Sequence, residues 1–382
     1  FRDRLWSLLP MADDLYAGLP GVALFLGALG AATGEERWER LARAALESLL
    51  ARLRNPSATT PPLSLGAFTG WGGVLYALAH LGALWEDRDL LAAAEPLIEP
   101  IASGIGGDDE IDVVGGAAGA IFGLLALHRA SGSRRALDVA VRCGEHLLAR
   151  SHPAGSGLGW LTRLAAAGPQ IGFSHGNAGI GAALVELAAA TGDSRFLAAG
   201  LAGFAWERDA FWPQLESWLQ GGGDTPPPLE STVAIAWCYG APGVGISRLR
   251  ALSQARDREE RLVLRNEVEE AARKTLDRGF GENHCLCHGD LGNLDFLLQA
   301  REALGDPGLD AATGRQAQST LAGIARDGWL CGTRGSVESP GLMNGVAGIG
   351  YGLLRLADPG RVPSVLALEP PTPADPGSCP RT

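Results

Sequence analysis

The chain has 382 residues, 46% of them hydrophobic and 20% charged, with a formal net charge of -11. That apolar content is ample for a buried core, and the acidic balance argues against nucleic acid or an anionic membrane as a partner. The longest uncharged run, Asn55 to Trp85, carries three prolines and five glycines that weaken it as a membrane span, and no stretch reads as a signal peptide.

In chain order, the first expectation is a helix over Arg2 to Leu9, entered abruptly at Phe1 with no initiator Met, as in the carboxyl-terminal piece of a longer protein. Glycine, at 54 residues, then sets a period. A G-x-x-G turn followed by an apolar helical run begins at Gly18, Gly70, Gly116, Gly176, Gly240, Gly289 and Gly345, in steps of 52, 46, 60, 64, 49 and 56 residues. After Gly176 the apolar positions are Ile180, Ala183, Leu184 and Leu187, a helical face. Between these units lie charged amphipathic segments, Glu35 to Arg54, Arg134 to Arg150, Arg195 to Trp206, Arg256 to Arg278 and Ala311 to Asp327, each an expected outer helix. Val113-Val114 and Thr232 to Trp237 are too short to build a sheet, and Asn55 to Pro62 and Gly221 to Pro228 read as loops. Seven helix pairs that each hide one face predict an all-α fold, a double-layered α/α toroid with the glycine turns at one end.

A ring of that kind gathers whatever precedes each glycine turn at one mouth. Units one, two and seven offer Tyr16-Ala17, Phe68-Thr69 and Met343-Asn344, which read as packing. Units five and six offer Cys238-Tyr239 and Cys287-His288 in matching register, unit four offers His175, and Asp112 stands ahead of Gly115-Gly116 in unit three. Two thiolates and an imidazole suit Zn²⁺, and three protein ligands leave a fourth position open, as a catalytic rather than structural zinc requires. A buried apolar thiol, a structural histidine and a capping aspartate are the ordinary alternatives for these residues taken singly. Cys285 competes with Cys287 as a ligand but is out of register with Cys238, so it and His284 are read as supporting or incidental. Six cysteines at uneven spacing suit metal binding in a reducing, cytoplasmic setting better than a disulfide framework.

Trp237-Cys-Tyr-Gly-Ala-Pro-Gly243, Cys287-His-Gly289 and Ser174-His-Gly-Asn-Ala-Gly179 together resemble lanthipeptide cyclases. Asp14 to Gly21, Leu286 to Asn293, Gly341 to Leu356 and Pro363 to Leu366 are similar to the carboxyl-terminal half of class II lanthipeptide synthetases. The resemblance implies one cyclase domain over residues 1–369 with a flexible tail over 370–382. It implies zinc ligands at Cys238, Cys287 and His288, an acid/base at His175 and a supporting carboxylate at Asp112. It also implies a dehydrated precursor peptide, leader plus core, as substrate, and an amino-terminal dehydratase domain in the full-length chain. The implied reaction adds peptide cysteine thiolates to dehydroalanine or dehydrobutyrine, forming (methyl)lanthionine rings. Two departures stand out: Ala234 where stand-alone cyclases carry an Arg, and Cys285 where a small polar residue is expected. The rival readings are a zinc-dependent peptide-thiol prenyltransferase and a non-catalytic peptide-binding ring stapled by structural zinc.

Overall fold

The computed structural model describes residues 10–55, 62–164, 168–218 and 235–371. The expected Arg2 to Leu9 helix, the loop over Gly221 to Pro228, Ala234, Cys379 and nearly all of the tail lie outside them.

Seven glycine turns feed seven inner helices: α1 (Leu19–Thr33), α3 (Trp71–Leu84), α6 (Ala117–Ser131), α8 (Asn177–Thr191), α10 (Ala241–Gln254), α12 (Asp290–Leu304) and α14 (Val346–Ala357). Each packs against the next and α14 packs against α1, so the inner layer closes. Helices α3, α6 and α8 are buried continuously over Gly72 to Gly82, Ala117 to Leu127 and Asn177 to Leu187. They are covered all round rather than on the single face the spacing suggests, because neighbours flank them in the ring and an outer layer backs them.

The outer layer comprises α2 (Glu36–Arg54), α7 (Arg134–Arg150), α9 (Ser194–Asp209), α11 (Arg258–Arg278) and α13 (Pro307–Asp327), each returning against the inner helix before it. Helix α13 starts four residues ahead of the expected Ala311. Pro307-Gly308 looks like a breaker in sequence, but Pro is welcome in the first helical turn, and Asp306 caps that turn by accepting from Leu309 N at 2.6 Å. Between units two and three the outer layer is broken into α4 (Arg88–Ala94) and α5 (Ile98–Gly104), each followed by a 3₁₀ turn. Pro96 and Pro100 cannot donate to a continuous helix, and no outer helix was legible there. Among the described residues α14 has no outer partner; residues 358–371 follow it as turns. Two hairpins unforeseen in sequence, β1 (Ser151–Ala154) with β2 (Gly157–Trp160) and β3 (Phe211–Trp212) with β4 (Ser217–Trp218), extend from the ends of α7 and α9.

The turns are tied into one belt. The residue two before each first glycine donates its N–H to the carbonyl of the equivalent residue in the next unit. Tyr16 donates to Phe68 at 2.9 Å, Phe68 to Val114 at 3.1 Å, Val114 to Ser174 at 3.3 Å and Ser174 to Cys238 at 3.4 Å. Cys238 then donates to Cys287 at 3.4 Å, Cys287 to Met343 at 3.0 Å and Met343 back to Tyr16 at 2.9 Å. The second glycine of every G-x-x-G has a separate cause: a Cβ there would drive into the carbonyl oxygen of the residue six before it, from Leu15 under Gly21 to Leu342 under Gly348. The turn folds so tightly over its own helix that only glycine fits.

Candidate metal centre

The belt fixes the backbone of Cys238 and Cys287 as adjacent rungs, which brings their side chains and His288 to one place. The two sulfurs and an imidazole nitrogen lie within 4.8 Å of one another. Zinc bonds of about 2.0 to 2.3 Å in a tetrahedron set neighbouring N and S donors roughly 3.5 to 3.8 Å apart, so a small closure of this cluster completes a coordination sphere. The protonation of the pair argues the same way. A hydrogen bond from Cys287 holds the Cys238 thiol below its ordinary pKa, while that same shared proton, with burial, pushes Cys287 far above it. One buried negative charge is tolerated and a second is not, unless a cation supplies the compensation. His288 is oriented by its other nitrogen: Nε2 lies 3.1 Å from the Gly332 carbonyl, and a neutral imidazole donating there keeps its lone pair on Nδ1. The donor set therefore fits a four-coordinate metal with one position left for another ligand.

Position four before the first glycine explains three residues at once. Asp112 Oδ1 accepts from Gly115 N at 2.8 Å, Asp14 Oδ1 accepts from Ala17 N at 2.8 Å, and Cys285 Sγ accepts from His288 N at 3.4 Å. All three cap their own turn, which is the ordinary capping role. Asp112 does more: its Oδ2 lies 2.7 Å from His175 Nδ1, so Nε2 is the ring nitrogen left for another partner. The Asp112 side chain is 5% exposed and that of His175 20%, a shielded carboxylate behind a reachable imidazole. The His175 ring lies 5.9 Å from that of Tyr239 in unit five, and its charge acts on Cys238.

Buried ionic groups hold these turns from below. Glu207 Oε1 accepts from Gly172 N at 3.1 Å and Ala178 N at 2.9 Å, on either side of His175, while its Oε2 accepts from the fully buried Arg248 at 2.6 Å. Asp108 does the same for unit three through Ala117 N at 2.7 Å. His284 exchanges backbone and ring hydrogen bonds with Leu330, at 2.9 and 2.8 Å, and so anchors the loop that presents Gly332 to His288.

Residues 10–367 match the family model described as lanthionine synthetase C-like protein. The chain belongs to that family. Over 191 residues it is 28% identical to the lacticin 481/lactococcin biosynthesis protein LcnDR2 of Lactococcus lactis subsp. lactis, a match covering 48% of this chain and 20% of that protein. The matched stretch is thus about a fifth of its relative's length. Among solved structures, nisin cyclase superposes with a TM-score of 0.75 at 18% identity, over 93% of this chain and 91% of that one. The GH76A α-1,6-mannanase of Salegentibacter sp. HEL1_6 superposes with a TM-score of 0.54 at 11% identity, over 89% and 99%. At those identities the likenesses establish the toroid alone.

In this lanthionine synthetase C-like chain the structure brings together Cys238, Cys287 and His288, sets His175 on Asp112, and leaves Cys285 outside the donor cluster as a turn cap. Burial pushes the Cys285 thiol up to about 12. Cys143 is buried in α7 and likewise pushed up to about 12 by burial. The expectation that units one and seven only pack needs correction. Burial, and after it the neighbouring charge of Cys287, push the Tyr16 phenol well above its ordinary pKa, and Asn344 Oδ1 lies 3.7 Å from Cys285 Sγ, because ring closure seats unit seven between units six and one. Gly332, which orients His288, was also missed, since nothing local marks a carbonyl for that role. Tyr239 was within reach of sequence reasoning, as it shares the position of His175 and His288 directly before the glycine.

Proposed function

We propose that this chain is a zinc-dependent lanthipeptide cyclase, adding cysteine thiolates of a dehydrated precursor peptide to dehydroalanine or dehydrobutyrine to form (methyl)lanthionine rings. The observation that carries the reading is the juxtaposition, at one mouth of a lanthionine synthetase C-like toroid, of the Cys238, Cys287 and His288 donors with the His175–Asp112 pair. Bound by those donors, zinc supplies the positive charge that keeps a substrate thiol, ordinarily of pKa about 8.5, deprotonated at neutral pH. The chain's own residues do the rest. The thiolate sulfur bonds to the β-carbon, the carbon–carbon π bond breaks toward an enolate, and the α-carbon then takes a proton. His175 Nε2 is the group that moves that proton, with Asp112 Oδ2 fixing the tautomer and balancing the imidazolium. The thiol's proton is regained at the α-carbon, so the product has the mass of the open peptide and needs no oxidant or reductant.

The reading places the chain beside a dehydratase domain in a longer protein and in the cytoplasm; no helix among the described residues is long and apolar enough to cross a membrane. Residues 1–369 would form the cyclase domain and 370–382 a tail. The deciding experiment loads the protein with zinc, incubates it with a dehydrated precursor and counts thiols left for alkylation by mass spectrometry. Loss of alkylatable thiols with about one zinc per chain supports the reading; equal activity in rigorously metal-free protein sinks it.

A further inference from the structure

Ring formation as proposed sets a stereocentre. Once sulfur has bonded to the β-carbon, the face on which the α-carbon takes its proton decides between the D and L products. The substrate sulfur is received beside Cys238 in unit five, whereas the acid, His175, belongs to unit four. One product emerges only if those two turns keep a fixed separation, and an offset of about 1 Å costs on the order of a hundredfold in rate. The joint between units four and five therefore carries the stereochemistry.

That joint has three ties. The Cys238 carbonyl accepts from Ser174 N at 3.4 Å and from Ser174 Oγ at 2.9 Å. Gly172 has a φ of 96°, and a Cβ there would stand 2.7 Å from the same carbonyl oxygen and 3.0 Å from Tyr239 Cα, so turn four lies backbone against backbone on turn five. Helix α9 supplies the third tie. Glu207 Oε1 accepts from Gly172 N at 3.1 Å and from Ala178 N at 2.9 Å, gripping turn four on both sides of His175. Its Oε2 accepts from Arg248 Nη1 at 2.6 Å, and Arg248 belongs to α10, the helix that turn five starts. Both side chains are fully buried. Arg248 is steadied by Glu267 at 3.0 Å and by the Phe204 ring, 4.2 Å from its guanidinium carbon. A buried ion pair adds little net stability, and apolar residues of similar volume often replace it without loss. What this pair adds is geometry: turn four, Glu207, Arg248, α10 and turn five form a closed circuit of contacts with His175 and Cys238 on it.

Resting on the proposed cyclase reading, we propose that Glu207, anchored by Arg248, is a positioning residue that fixes His175 relative to the Cys238 turn and so sets the face of α-carbon protonation.

The test uses the zinc-loaded protein, a dehydrated precursor and two variants. Glu207→Gln keeps an oxygen for Gly172 N and Ala178 N and changes only the charge facing Arg248. Glu207→Leu combined with Arg248→Met removes the grip and both charges together; Glu267 keeps Arg208 at 2.6 Å, so no buried charge is stranded. Cyclisation in deuterium oxide labels the newly set centre, whose configuration is read by chiral chromatography of the hydrolysed rings. The parent should give one configuration. The double variant should keep its zinc, its melting temperature and KM, yet turn over about a hundredfold more slowly and give both configurations. Its amide hydrogen exchange over residues 170–180 should quicken, which reports the loosened turn without reference to activity. Glu207→Gln should fall between the two, within about tenfold of the parent rate. A double variant with full zinc that still gives a single configuration, or unchanged exchange over that segment, overturns the proposal and leaves the cyclase reading intact. So does activity lost in step with zinc or with folded protein, since that marks the pair as scaffold alone. A parent that closes no rings brings down the cyclase reading, and the clamp with it.

Discussion

The turns of units four to six and those of units one, two and seven are the same piece of backbone. Each passes its belt hydrogen bond to the next unit, each presses a glycine onto its own carbonyl, and each starts an inner helix. They differ in what hangs from the belt. Ser174-His175, Cys238-Tyr239 and Cys287-His288 bring nucleophilic and titratable groups, whereas Tyr16-Ala17, Phe68-Thr69 and Met343-Asn344 bring a phenol, an amide and apolar bulk. The comparison teaches that the repeat supplies positions and the side chain supplies chemistry, so equivalent substitutions in the two halves should have unequal effects.

The largest effect is expected from Cys287→Ala or Cys238→Ala, which should abolish both metal content and ring closure; a variant that keeps stoichiometric zinc would mean the donor set is misassigned. Next, His175→Ala should retain metal yet cyclise a dehydrated precursor about a hundredfold to ten-thousandfold more slowly, the range for loss of a general acid or base. Metal analysis and thiol counting on one sample separate these two cases. A smaller contrast comes from position four before the glycine. Asp112→Asn keeps an oxygen for Gly115 N but removes the charge behind His175, and should slow turnover about tenfold to a hundredfold. Asp14→Asn, the same change at the same turn position, should leave the rate untouched and stability within about 1 kcal/mol by denaturant unfolding. Equal rate losses in the pair would reduce Asp112 to a turn cap.

The smallest effect lies toward the far end of the ring, in α3. His80 is buried with Nε2 at 3.0 Å from the Glu369 carbonyl, and burial lowers its pKa to about 3. The folded value is below the ordinary one of about 6.5, so the fold favours neutral His80; that stability is fully present above pH about 6.5 and is lost as pH falls toward 3. His80→Gln should flatten this part of the unfolding curve without altering zinc retention at neutral pH. An unchanged slope would show that other groups carry the acid lability.

Much of this was legible because its causes are local. The glycine period marks turns too tight for a Cβ, the apolar runs mark helices buried between two layers, and the outer segments at Arg134 to Arg150 and Glu35 to Arg54 coincide with α7 and α2 within a residue. The broken α4–α5 layer was not legible, since Pro96 and Pro100 erase the helical pattern while packing against neighbouring helices keeps the segment folded. The hairpins β1–β2 and β3–β4 are too short to announce themselves by alternation.

By itself the sequence determined the turns, the helical layers and the list of groups that ring closure would gather at one mouth, because each follows from the steric and apolar demands of neighbouring residues. Only the tertiary structure decided which of those groups touch. The closed belt seats Met343 between Cys287 and Tyr16, uniting the first and last glycine turns beside the Cys238, Cys287 and His288 cluster, and it leaves Cys285 capping a turn while Cys287 faces Cys238. Lateral contact of that kind depends on closing the ring, a long-range event that no local pattern encodes.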